Sequence, residues 1–206
     1  MDPCVVDWSA VADWANVSIS FLTLVLGVFA VRMWRVQLRG GTKHQAAHEI
    51  AEAARMLRYA FYDARSPFFS AGEFPPSYRQ RAMGTVATND EQAAEYRHAF
   101  KNRLKELWVH LMKLANLRPR AGAAIGDPAA NAVERLAKVA RQLEFYMSER
   151  VEQYRVGPEI VAHWSDQAFV AKVNAGITAD SEREDAYSRE FEEAFTALLD
   201  TLKLHM

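Results

Sequence analysis

The sequence predicts an all-α protein: a single N-terminal transmembrane helix followed by a cytoplasmic antiparallel helical bundle of about five helices. Three observations predict it. An uncharged apolar run, Trp14 to Val31, lies near the N-terminus. Apolar residues recur three and four apart through most of the remainder, with no alternating strand pattern. Glycine and proline fall mainly between or at the ends of those periodic stretches, as helix punctuation does. Half of the 206 residues are hydrophobic and a quarter are charged, which excludes a disordered chain. A net charge of −1 gives no global attraction to nucleic acid, and no DNA partner is expected. One cysteine, Cys4, excludes an internal disulfide framework and a cysteine-rich zinc module.

The apolar run, with its shoulders from Val11 to Trp34, is long enough to cross a hydrocarbon core of about 30 Å. A buried core helix is the alternative. Trp14 and Trp34 stand roughly 30 Å apart at 1.5 Å per residue, which fits the two interfacial aromatic belts. Asp2, Asp7 and Asp13 precede the run; Arg32, Arg35, Arg39 and Lys43 follow it. By the positive-inside rule the N-terminus lies outside and the rest in the cytoplasm. Trp14, Arg32, Trp34, Arg35 and Arg39 are the interfacial anchors. Neither a basic n-region nor a small-x-small cleavage site accompanies the run, so it is expected to remain as an anchor. One face carries Asn16, Ser20, Thr23, Gly27 and Ala30 at heptad spacing. Small and polar residues in lipid favour close helix–helix contact, at roughly 1 kcal/mol for each interhelical hydrogen bond. This stripe is the candidate for homo-oligomer association or pore lining. Alternatively, the hydroxyls bond back to their own helix.

Gly40-Gly41 divides residues 1–39, the tail and anchor, from the bundle over residues 42–206. Thr42 opens a helix whose apolar face is Ile50, Ala54, Leu57, Phe61 and Ala64, until Pro67 stops it. The following loop, Ser66 to about Ser77, holds Phe68, Phe69 and Phe74. That is too apolar for a solvated linker, and it is expected to fold back on the bundle or meet a neighbouring subunit. Thr88-x-x-Glu91 is a capping box. Its helix packs through Ala93, Tyr96, Phe100, Leu104, Leu107, Leu111 and Leu114 and is expected to end before Pro119. Asp127-Pro128 reads as a cap followed by proline at the first helical position. That helix continues through Leu136, Leu143, Met147 and Tyr154 to Gly157-Pro158. A shorter helix holds Ile160, Trp164 and Val170. The last begins at the capping box Ser181-x-x-Glu184 and packs through Tyr187, Phe191, Ala194, Leu198 and Leu202.

Enzyme signatures are sparse. There is no phosphate-binding glycine loop, no nucleophile elbow and no HExxH pair. His44 and His48 could form half a metal site, but no second ligand pair accompanies them, and neither metal nor cofactor is expected. Arg103-Leu-Lys-Glu-Leu-Trp-Val-His110 places a cation and an imidazole two helical turns apart on one side, flanking the apolar stripe. Pairing of Arg103 and His110 with Glu134 or Glu144 is the structural alternative.

The Arg103–His110 arrangement resembles the R-x4-6-H motif of HEPN domains, helical bundles that often pair to cleave RNA without metal. That resemblance implies a catalytic role for both residues: activating the ribose 2′-hydroxyl and stabilising the phosphate. Leu104 departs from the pattern, since nuclease members usually carry Asn, His or Asp there. Arg39 and His44 match the spacing as well, but across the anchor boundary. The layout of anchor, basic juxtamembrane turn and helical domain resembles the membrane-anchored HEPN-like accessory proteins of RNA-targeting type VI CRISPR systems. Leu57-Arg58-x6-Arg65-Ser66-Pro67-Phe68 is also similar to bacterial membrane-anchored helical proteins of unknown function. The first resemblance implies a bacterial inner-membrane oligomer that supports antiphage defence by forming a pore or perturbing the bilayer, with RNA or a CRISPR effector as partner. A membrane-tethered HEPN-type ribonuclease and a passive scaffold for a cytoplasmic partner are the other expectations. Phe68, Phe69 and Phe74 are the candidate subunit or partner contacts.

Overall fold

A computed structural model describes residues 8–80, 85–156, 166–178 and 185–206, without the side chains of residues 8–13, 15–18, 36–39 and 79. It contains α1 (Trp8–Ala64), α2 (Pro76–Gln80), α3 (Asn89–Ala124), α4 (Asp127–Val156), α5 (Gln167–Ile177) and α6 (Ala186–Lys203). No strand occurs among the described residues, so the all-α architecture holds. The chain divides into two compact units, Met1–Lys43 and His44–Met206.

In the first unit the helix exposes Phe21, Leu22, Leu24, Leu26, Val28 and Phe29. Water does not tolerate such a continuous apolar surface. Among the described residues, one helix, near the N-terminus, is long and apolar enough to cross a membrane. Gly40 and Gly41 lie inside α1 and do not end it. Each weakens a helix by about 1 kcal/mol relative to alanine, but neither has a positive φ that would turn the chain.

In the second unit, Ile50, Ala54, Leu57, Phe61 and Ala64 are buried, as their spacing predicts. Thr88 caps α3 through the reciprocal capping box with Glu91. The helix then runs through Pro119, contrary to expectation. Tertiary contacts hold that turn helical despite a proline penalty of about 3 kcal/mol. Arg118 pairs with Glu134 at 2.7 Å, Arg120 pairs with Glu49, and Ala121 is fully buried.

Only Ile125 and Gly126 connect α3 to α4, so the two helices are antiparallel neighbours. The Ile125 and Gly126 N–H groups both donate to the Ala121 carbonyl, and Gly126 has a φ of 129°, which favours glycine. The Gly126 carbonyl in turn accepts from Ala130, so Gly126, rather than Asp127, occupies the cap. Helix α4 packs against α3, α5 and α6, and one apolar core joins all of them to residues 47–64 of α1. The helix α5 contains Val170 of the predicted short helix; Ile160, Trp164 and the Gly157-Pro158 stop lie outside the described residues. Asp185 caps α6, so that helix starts after the predicted Ser181–Glu184 box, which also lies outside them.

At Gly176 the backbone of α5 lies against the Tyr146 ring. A Cβ built there would stand 2.2 Å from Tyr146 Cδ2, far inside van der Waals contact. Gly176→Ala is therefore expected to destabilise the bundle by about 2 kcal/mol through overpacking, measured by denaturant unfolding. An unchanged midpoint would show that α5 moves aside freely.

Candidate functional site

The first element of the site is Arg103, which projects from α3 towards the loop between α1 and α2. Its guanidinium donates to the Glu73 carboxylate and to the Ser66 and Phe68 carbonyls. The same group lies 3.7 Å from the centre of the Phe69 ring. The arginine side chain is only 7% exposed, so these contacts replace water almost completely. Burial pushes the Glu73 carboxyl up, but the Arg103 bonds and charge and the Ser70 N–H outweigh it and hold the group low. Neither Glu134 nor Glu144 is the partner of Arg103; Glu134 is paired with Arg118.

His110 sits two turns further along α3, half-buried. Its Nδ1 is buried and has no hydrogen-bond partner among the described residues. The two side chains differ in availability. Arg103 already spends its donors on the loop, so a phosphate could reach the guanidinium only by displacing Glu73 or a backbone carbonyl.

The aromatic loop folds onto its own bundle. Phe74 is buried and stacks on Tyr78 at 4.4 Å, and Phe69 packs edge-on against Tyr96 and Phe100. Their apolar area is used within the chain, the first of the two expectations for this loop. Phe68, 83% exposed, is the ring of the three left facing outwards.

On the apolar stretch of α1, Ser20, Thr23, Gly27 and Ala30 are exposed. The Thr23 hydroxyl donates to the Ile19 carbonyl at 2.8 Å, so its proton is satisfied within the helix while its lone pairs remain available. Trp14, Arg32, Trp34 and Arg35 are exposed, as interfacial anchors require; the side chains of Asn16 and Arg39 lie outside the described residues. His44 and His48 are exposed on α1, and no cluster of three metal-ligating side chains occurs among the described residues.

A residue to which sequence reasoning gave no role of its own organises the rest. Arg65 is 0% exposed. Its Nε donates to Gly176 O at 3.0 Å and one terminal nitrogen donates to Ser188 Oγ at 2.6 Å. The other reaches Ala175 O, Thr178 O at 3.2 Å and Asp185 Oδ2 at 3.0 Å. Phe61 and Tyr187 flank the guanidinium at 5.2 and 5.0 Å. The signal was available: Arg65 follows Leu57 and Phe61 at four-residue steps, so a cation occupies a core position. Nearby, Arg58 Nε and Tyr62 Oη both donate to Glu192 Oε1, at 2.7 and 2.8 Å. Burial, aided by that carboxylate, pushes the Tyr62 phenol up to about 12.

Burial pushes the Asp185 carboxyl up, but the Ser188 N–H and hydroxyl and the Arg65 charge outweigh it and hold the group below its ordinary range. A carboxyl held low when folded contributes stability above its unfolded pKa and loses it as pH falls through the folded one. The wild-type bundle is thus expected to weaken below about pH 4. Arg65→Leu should cost about 3–5 kcal/mol at neutral pH, because it strands Asp185 and three carbonyls, and should shrink the acid-dependent loss. Urea titrations at several pH values measure both effects. Arg103→Ala is expected to leave helix content unchanged while making the segment from Ser66 to Glu73 the first site of limited proteolysis. Comparisons with family models, with curated proteins and with solved structures each return no match.

Proposed function

We propose that the protein is an oligomeric effector of the bacterial inner membrane, N-terminus outside and bundle in the cytoplasm, that acts in antiphage defence by opening or perturbing the bilayer. The supporting observation is the exposed apolar stretch of α1, with Ser20, Thr23, Gly27 and Ala30 along one line of it. A helix alone in lipid gains nothing from such a line, whereas helices packed together bury it or turn it towards water. The acidic residues before the span and the basic ones after it support the orientation. Arg32 and Arg35 would also be drawn to anionic lipid, by about 1 kcal/mol each near the surface.

The tethered-ribonuclease reading has less support. It needs an arginine free to meet a phosphate, and Arg103 is held by Glu73 and the loop carbonyls. The proposal is tested with purified full-length protein in liposomes loaded with a fluorescent dye. Dye release is expected from the wild type and is expected to vanish when Asn16, Ser20 and Thr23 are all replaced by leucine. In mild detergent the wild type should run as a discrete complex of several chains. Release that survives the triple replacement, or a monomer in every detergent, would overturn the proposal. Cleavage of single-stranded RNA in EDTA, lost in His110→Ala, would move the function to the ribonuclease.

A further inference from the structure

A groove of about 740 Å³ runs along the surface between α3 and α4. Its floor is apolar, formed by Leu104, Trp108, Met147 and Val151. Its walls are charged with opposite signs. Arg97, Lys101 and Lys105 stand along the α3 wall at four-residue steps, while Glu144, Ser148 and Glu152 stand along the α4 wall at the same steps. Tyr96 stacks on Tyr154 at 4.2 Å, and Glu152, ion-paired with Arg155 on its own helix, also lies within the field of Arg97 across the groove. Because the helices are antiparallel, this sets the levels: Arg97 beside Glu152, Lys101 beside Ser148, Lys105 beside Glu144.

We infer that this groove is a two-fold contact with a second copy of the chain, α3 of each copy lying on α4 of the other. The inference rests on the reading of the protein as a homo-oligomer and names one of its contacts. A face with rows of opposite sign side by side is complementary to itself under one two-fold axis, the axis parallel to the rows. That rotation preserves level and exchanges walls, so Arg97 meets the partner's acidic wall at the level of Glu152, and Lys105 meets it at the level of Glu144. A two-fold axis across the groove would instead set Arg97 over the partner's Lys105, cation on cation. The lysine stems are long enough to lie across the opposite apolar floor while their ammonium groups reach the carboxylates beyond it. A nucleic acid fits less well, because the acidic wall would face its phosphates.

The test uses the full-length chain carrying the leucine replacements at Asn16, Ser20 and Thr23, so that membrane-helix association does not mask the bundle contact. Its mass is measured in detergent by light scattering, with helix content as the check on folding. Ser20, Thr23, Arg97, Lys105 and Glu144 are exposed, and Glu152 is partly exposed. A dimer is expected in this background. Arg97→Glu with Lys105→Glu turns the α3 wall acidic at the two levels that meet carboxylates, and Glu144→Lys with Glu152→Lys turns the α4 wall basic at the same levels; each pair should halve the mass. An equimolar mixture of the two variants should restore the dimer. A monomer in the background, a dimer indifferent to both reversals, or a mixture that stays monomeric would each overturn the contact. The first of these, alongside a larger wild-type complex and dye release, would leave the proposed function standing and turn the groove over to a helix of another protein. Dye release that survives the leucine replacements, with the charge variants behaving as expected, would remove that function and keep the contact.

Discussion

A guanidinium with no exposure to water governs the bundle. A cation can be buried only if its donors find acceptors and its charge finds a partner. Arg65 meets that requirement by drawing on two other elements. It takes carbonyls at the end of α5, where the helix leaves acceptors unused and its dipole is negative. It takes the carboxylate of Asp185, which is also the cap of α6. One side chain at the end of α1 thus specifies where α5 stops and where α6 starts. The close approach of Gly176 to Tyr146 follows from the same demand, since its carbonyl must come within reach of Arg65. The stacked rings of Phe61 and Phe191, 3.8 Å apart, close the cluster on its apolar side.

Arg103 repeats the device at the other connection. There the acceptors belong to a loop, and the cation lies on Phe69 and against Glu73, so the segment after α1 is fastened to α3. Both arginines therefore act as ties between separate elements. This bears on chemistry. A guanidinium that stabilises a transition state must be preorganised and open to the reacting group. Arg103 is preorganised but occupied, which suits a structural tie better than a phosphate clamp.

Much of this architecture is legible in the sequence because helix periodicity, capping boxes and a membrane-length apolar run are local signals. The faces of α1, α3, α4 and α6 follow directly from residues three and four apart, and Thr88–Glu91 announces its own helix. What escapes depends on partners far away in the chain. Pro119 reads as a stop until Arg118 and Arg120 are seen tied to α4 and α1. Phe69 and Phe74 read as contacts of either the bundle or a neighbouring subunit, and only Tyr96 and Phe100, distant in the chain, show what covers them. Arg103 reads as half of a catalytic pair because Glu73, thirty residues away, gives no sequence sign of reaching it. Arg65 was visible as a charge in a core register, but nothing local identifies the acceptors that make it tolerable.

The two-residue connection between α3 and α4 bears on the order of assembly. A hairpin closed by Ile125 and Gly126 brings its helices together across short loops, so its contacts form early and at little entropic loss. The Arg65 contacts join residues 111 and 123 positions apart and can form only after α5 and α6 have docked. By that order the hairpin is expected to influence how fast the bundle folds, and the arginine tie how slowly it comes apart.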